Sequence, residues 1–532
     1  MTDTASWPIV RLASRSPNDT RAAGVATAVA ITIAYLIVQP ASADFSSGDF
    51  RARLFRQGAY LWDNHWFGGH PLPGYGIVSP MLSGTLGVLP VAIGSLLVAS
   101  WAFGSIVANC RLAHPTLPSP RLASALFAMG CGISLWGGRL TFGPAVAFAV
   151  LCVLCLQNQR LIVAVIMGVL CGLSSPVGAL SLFIALASFW IAEAFPRRSV
   201  AIVAMATLTP SLLLNLFFAE KGWYPFTGGG FALLCVSLVV VGWFGRHHRV
   251  VLSLVVLYGL VAVGAFVVRS PLGGNVVRLG WLMAAPAAVL SIHKFRRTIL
   301  PIFVAFAVIW GWSYVSLGFV PADASANPQY YDALADFVAT QPAGQRVEVL
   351  ADKSFRYADE LALKINIARG WETQVDRELN PEFYGNLTAD AYHAWLLRNS
   401  VSIVAVPEAE VLPIAQDERK IVEAGQSFLK LVWSSSSWRV YAVTDASPLA
   451  DNGAAVTAIA AESLTIFAPK VGTTTIRFHY TKLYRVESGS ACISSSPEGW
   501  IQLRVLQPGT VVLKVSLRAV AAATVSGTDP CS

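Results

Sequence analysis

Long apolar runs separated by short polar breaks fill the chain up to about Val320; beyond it the apolar runs shorten to strand length and charged residues become common. The long runs fall at Gly24–Val38, Met81–Val107, Leu122–Trp136, Gly143–Leu156, Leu161–Leu173, Val177–Ala194, Val200–Phe218, Gly230–Phe244, Val250–Val268, Leu279–Ile292 and Ile299–Phe319. They predict about eleven membrane-spanning helices, several of them short for a hydrocarbon core of ~30 Å. After Val320 the pattern predicts helices at Tyr330–Thr340 and Ala389–Asn399 and strands at Val347–Leu350, Ile403–Val406 and Arg439–Val443, an α/β unit over 321–445. From 446 to 532 the period is two, with Val511, Leu513, Val515 and Leu517 on one face and Val512, Lys514, Ser516 and Arg518 on the other. With turns at Val471-Gly472 and Pro508-Gly509, that predicts a small β-sandwich.

Composition agrees. Hydrophobic residues make up 55% and charged residues 13%, where globular proteins carry roughly a quarter charged, so a polytopic α-helical membrane protein is expected. The net charge of +8 points to orientation and not to nucleic acid. Its basic residues sit in every second connection: Arg111 with Arg121, Arg160, Arg197-Arg198, Arg246 to Arg249, and Lys294 with Arg296-Arg297. Cytoplasmic loops carry that excess. The predicted topology is therefore N-in/C-out, in the plasma membrane, with a cytoplasmic arm at 1–23, a bundle at 24–320 and an exported remainder. Ala41-Ser42-Ala43 resembles a signal-peptidase site, and retention or cleavage there leaves the following loop on the same outer side. Cys152 and Cys155 read as apolar packing, whereas Cys492 and Cys531, if exported, are expected to form a disulfide.

Polar chemistry concentrates in the outer loop at 43–80, which holds Asp44, Asp49, Asp63, three arginines, His65, His70 and a run of aromatic rings. Arg51, Arg53, Arg56, Arg139, Arg269 and Arg278 all fall on the outer side, where orientation does not explain them. The breaks Ser174–Gly178 and Arg269–Arg278 are predicted to wall an outward cavity, because irregular backbone at membrane depth needs protein or water to satisfy it. Asp49 or Asp44 could serve as a general base or merely cap a helix. Arg53 and Arg56 share a helical face, and Asp49 stands four residues before Arg53, a spacing that suits an ion pair as well as a phosphate clamp. Trp62, Trp66 and Tyr75 could stack on sugars or seat at the membrane interface. Asp63, His65 and His70 are of metal-ligating types but lack a familiar spacing, so a divalent cation stays open and no other cofactor is implied. The chain has no phosphate-binding P-loop and no strand-linked dinucleotide fingerprint.

The order of arm, first span, acid-bearing loop, Leu61-Trp62-Asp63, Gly-rich turn, Tyr75-Gly76 and Pro80 resembles the GT-C superfamily of polyprenyl-phosphate-sugar-dependent glycosyltransferases. The likeness is to actinobacterial arabinofuranosyl- and mannosyltransferase-like membrane proteins. Asn275-Val276-Val277-Arg278 and the stretch from Ala368-Arg369-Gly370-Trp371 to Asn380-Pro381-Glu382-Phe383-Tyr384 look like a related group. The resemblance implies an inverting transfer from a polyprenyl-phosphate sugar to a cell-envelope glycan, in membrane lipid. Asp49, then Asp44, would be the base; Arg53, Arg56, Arg278 and His70 would hold the leaving phosphate. Trp62, Asp63, His65, Trp66, Tyr75 and Asn275 would meet sugar or acceptor. The acids here stand farther apart than in the compact acid motifs of parts of that superfamily. A transporter or flippase, or an assembly factor for lipid-linked glycans, is the alternative.

Overall fold

A computed structural model describes residues 17–110, 120–219, 222–291, 297–320 and 323–517. The chain opens with helix α1 (Pro17–Val38), strand β1 (Ala41–Ser42) and helix α2 (Ala43–Arg56), followed by a tight pair of two-residue strands, β2 (Trp62–Asp63) and β3 (His70–Pro71). The bundle continues with α3 (Val78–Leu86), α4 (Val88–Asn109), α5 (Pro120–Trp136), α6 (Phe142–Gln157), α7 (Leu161–Ser174), α8 (Pro176–Ile191), α9 (Arg197–Phe217), α10 (Gly228–Gly245), α11 (Arg249–Val267), α12 (Val277–Ser291) and α13 (Ile299–Gly318).

Every expected span but one falls on a single one of these helices. One expectation is corrected: Met81–Val107 is not a continuous span. Gly87 sits between α3 and α4 at φ 93°, a left-handed conformation that glycine adopts at little cost, so the chain turns there. By length and composition, α1, α4, α9, α10 and α11 are able to cross a membrane, and α6, α7, α8 and α13 are shorter apolar helices. Large apolar side chains face away from the bundle along its length, among them Ile162 at 77% exposed and Leu216 at 74%. Apolar surface on that scale is covered by lipid, which makes this a multi-pass membrane protein.

Strand β4 (Phe319–Val320) leaves α13 and pairs antiparallel with β1. The ends of the first and last bundle helices therefore meet on one face, and the sheet-rich region stands on that face. Its first part holds β5 (Arg346–Val349), β6 (Asn366–Ile367), β7 (Ile403–Pro407), β8 (Leu429–Ser434) and β9 (Trp438–Val443), with helices α14 (Asp332–Ala339), α15 (Tyr357–Glu360), α16 (Thr373–Leu379), α17 (Ala389–Arg398) and α18 (Gln416–Glu423). The sheet order is β6-β5-β7-β9-β8, with β5 parallel to both neighbours and β9 antiparallel. The second part has, among the described residues, seven strands: β10 (Ala455–Ala460), β11 (Ser463–Ala468), β12 (Gly472–His479), β13 (Tyr484–Ser488), β14 (Ala491–Ser495), β15 (Trp500–Val505) and β16 (Gly509–Val515). Sheets β10-β11-β16-β13 and β12-β15-β14 enclose a core of Leu464, Ile466, Ile476, Phe478, Leu503 and Leu513. Cys492 lies in β14; Cys531, its expected partner, is outside the described residues, as are Arg11, Arg15, Arg111, Lys294, Arg296 and Arg518.

Candidate functional site

Helix α2 lies between bundle and sheet-rich region, and its two acids point to different neighbours. Five residues of α-helix turn through about 500°, leaving Asp44 and Asp49 about 140° apart. Asp49 accepts from Arg53 Nε at 2.6 Å, and Arg53 Nη2 donates to Glu360 of α15 at 3.1 Å. Asp44 faces the bundle, where its Oδ2 accepts from Arg139 Nε at 3.0 Å. Arg139 belongs to the α5–α6 turn, whose Gly138 has φ 69° and stands so close that a Cβ there would come within 2.7 Å of the Phe45 backbone nitrogen. Ser42 Oγ donates to the Gly137 carbonyl at 2.6 Å. The acid and the arginine are thus fixed from both sides by backbone.

Around this pair the bundle gathers groups from distant parts of the chain. The Arg139 guanidinium stands 4.9 Å from the Trp281 ring centroid and 5.9 Å from that of Tyr314. Arg278 Nη2 donates to Asn275 Oδ1 at 2.7 Å, and its guanidinium lies over the Phe142 ring at 5.4 Å. Tyr224, from the α9–α10 connection, lies in the field of Asp44, Arg139, Arg278 and Arg377. Two donors here are buried without a hydrogen-bond partner, Arg139 Nη1 and Trp281 Nε1. From Arg139 a crevice runs down between α4, α5, α6 and α12, lined by Ala92, Leu96, Ala99, Cys131 and Val146. It is apolar along its walls and cationic at one end. The ion pair is partly open to solvent, with Asp44 29% and Arg139 15% exposed.

Much of the rest of the loop is buried. Trp66 is fully buried in the core of the α/β part, stacks on Phe50 with ring centroids 4.3 Å apart, and donates Nε1 to the Ala358 carbonyl at 2.8 Å. Trp62 sits in the sandwich core beside Tyr484. Asp63 is fully buried and accepts from His65 Nδ1 at 2.7 Å and the His65 backbone N–H at 3.0 Å, with His70 Nε2 at 3.3 Å. Burial opposes its ionisation, but the two imidazoles outweigh burial and hold the carboxyl well below its ordinary range. Arg51 pairs with Glu372, both buried, and lies over the Tyr75 ring at 4.5 Å, whose hydroxyl accepts from Gln374 Nε2 at 2.5 Å. The ring faces and carboxylate that the sequence offered to sugars are here occupied by protein. Arg56 is exposed at the end of α2, apart from the crevice. Among the described residues, no group of three or more His, Cys, Asp or Glu side chains is arranged to hold a metal ion.

One further acid stands out. Asp359 of α15 is buried with neither oxygen hydrogen-bonded. Burial, reinforced by Glu360 and Asp49 against Arg356 and Arg53, pushes its carboxyl up to about 8.

The structure brings together Asp44, Arg278 and Asn275, and joins to them Arg139, Trp281, Tyr314 and Tyr224, which the sequence did not place in the site. Arg139 was legible only as an outer arginine that orientation left unexplained. No family model and no curated protein matches the chain. Among solved structures the chain is similar to ArnT from Cupriavidus metallidurans in the apo state, with TM-score 0.42 and 14% identity, over 80% of this chain and 98% of that one. At that score the likeness is one of broad layout and assigns no residue a role.

Proposed function

We propose that this chain is a membrane glycosyltransferase that moves a sugar of the arabinofuranose or mannose class from a polyprenyl-phosphate donor to a cell-envelope glycan, on the outer face of the plasma membrane. One observation carries the reading: a carboxylate and a guanidinium with a free donor stand together at the head of an apolar crevice. A phosphate suits Arg139 Nη1, because guanidinium groups bind phosphate bidentately, and the narrow crevice below it offers a prenyl chain apolar walls. Arg278 adds a second cation beside it.

Asp44, rather than Asp49, is the base in this reading, because Asp49 is turned toward Arg53 and Glu360. When the donor phosphate takes Arg139, Asp44 is released to accept the proton of an acceptor hydroxyl. The hydroxyl oxygen then bonds to the anomeric carbon from the face opposite the phosphate. The bond from that carbon to the phosphate oxygen breaks, its electron pair leaves with the polyprenyl phosphate, and the configuration inverts. Trp281 Nε1 is a donor for a sugar hydroxyl or a phosphate oxygen. Trp62, Asp63, His65, Trp66 and Tyr75 hold the loop in place in this scheme, and His70 and Arg53 do the same.

The test is transfer of labelled sugar from polyprenyl-phosphate arabinose and polyprenyl-phosphate mannose by purified protein and its Asp44→Asn, Asp49→Asn and Arg139→Ala variants. The reading expects transfer by wild type that Asp44→Asn and Arg139→Ala abolish. Absence of transfer from either donor, with lipid-phosphate binding that survives all three substitutions, would instead support a transporter or an assembly factor.

A further inference from the structure

A second cavity, of about 300 Å³, opens between the two parts of the sheet-rich region, at the lower end of the range of ~300–1,000 Å³ typical of ligand pockets. Its walls are runs of consecutive residues: 341–345 after α14, 362–366 leading into β6, and 456–459 of β10. Successive residues of a strand point to opposite faces, so four in a row along one cavity mean that it follows the edge of β10. Both β10 and β6 are outermost strands of their sheets. The cavity is a groove between two sheet edges.

Its polar groups are of one kind. Asn366 is only 7% exposed, lines the groove, and has neither its Oδ1 nor its Nδ2 hydrogen-bonded. Leaving a buried amide unpartnered costs about 1–3 kcal/mol, and no contact in the fold offsets it. His65 reaches the groove from the 43–80 loop with Nδ1 held by Asp63, which leaves Nε2 for a ligand. Gln341 and Thr457 lie along the same walls. Among the described residues lining it, Lys364 is the one charged side chain outside the imidazole, and its ammonium is bonded to Asp332 at 2.8 Å. No carboxylate lines it. Amides, a hydroxyl and an imidazole, with the one ammonium already paired, match a neutral polyhydroxylated ligand.

We infer that this groove binds a neutral oligosaccharide, the acceptor of the transfer proposed above; only the word acceptor rests on that reading. The loop that holds Asp44 near its start also carries His65, so a glycan seated here is joined to the crevice by one stretch of chain.

The test titrates full-length protein in nanodiscs with neutral arabinofuranose and mannose oligomers, followed by calorimetry and saturation-transfer NMR. Wild type is compared with Asn366→Leu and Ala458→Trp. Ala458 is exposed on β10, so a tryptophan there fills the groove without entering a core. Saturable binding to wild type is expected, weakened about tenfold or more in each variant, with the melting temperature of Ala458→Trp and its binding of polyprenyl phosphate unchanged. The inference is overturned if no neutral oligomer binds wild type, if Ala458→Trp binds as well as wild type, or if acidic oligomers or extended peptides bind in their place. Oligosaccharide binding without sugar transfer would remove the enzymatic reading and leave the groove; transfer without such binding would remove the groove alone.

Discussion

Asp44 and Asp63 belong to one loop, and each faces nitrogen-bearing partners, yet their surroundings are opposite. Asp63 is saturated: two imidazoles and backbone N–H groups enclose it and no solvent reaches it. Asp44 has one arginine, partial exposure, and a neighbouring guanidinium nitrogen with nothing to bind. A dense patch of polar and aromatic residues therefore served two ends. Its start meets the bundle as a reactive corner, and its remainder is the joint that fixes that corner under the sheet-rich region. Chemical residue types alone do not distinguish a site from a joint; an unbound donor beside a carboxylate that solvent reaches does.

Substitutions at the two ends should separate cleanly. Asp44→Asn is expected to lower transfer by ~10²–10⁴-fold, the scale of lost general-base catalysis, with an unchanged melting temperature; a comparable loss of thermal stability would make Asp44 part of the joint. Glu372→Ala should do the reverse, removing an ion-pair partner of buried Arg51 and destabilising the fold by ~3–5 kcal/mol, read by thermal unfolding of the purified protein. Asp359→Asn tests the seam between α2 and α15. With a folded-state carboxyl raised to about 8, the native protein keeps a proton that the unfolded chain releases above ~4. Stability from this group is full below ~4 and is lost as pH rises toward 8. The amide should therefore stabilise by ~1–3 kcal/mol near pH 8, a gain that shrinks as pH falls and that a pH series of melting curves resolves. Asp49→Asn should have the smallest effect, ~0.3–0.5 kcal/mol for an i,i+4 pair, with transfer within about threefold of wild type. Transfer lost in Asp49→Asn and kept in Asp44→Asn would exchange the roles of the two acids.

Helices and strands were legible because they rest on local periodicity. Val511, Leu513 and Val515 are buried and Lys514 is exposed, as a period of two requires. The turn at Gly87 was hidden by apolar residues on both sides of it. Elements as short as β6 and α18 contain too few apolar residues to register as apolar runs. The site was legible only in its ingredients. Asp44 meets Arg139 across 95 residues and Arg51 meets Glu372 across 321, and no local pattern reports which distant charge a side chain will find. The unbound donors of Arg139 and Trp281 exist only once the helices around them have packed.

The bond from Trp66 to Ala358 also sets a clock. The two residues are 292 positions apart, and at ~5–20 residues per second a ribosome needs ~15–60 s to make the chain between them. During that interval α2 and its loop have emerged but the core that receives Phe50 and Trp66 has not been synthesised. The loop waits with its indoles uncovered, a target for chaperones and proteases. An arrested or truncated chain stays in that state, so the corner that holds Asp44 is locked under its cover only when translation is nearly finished.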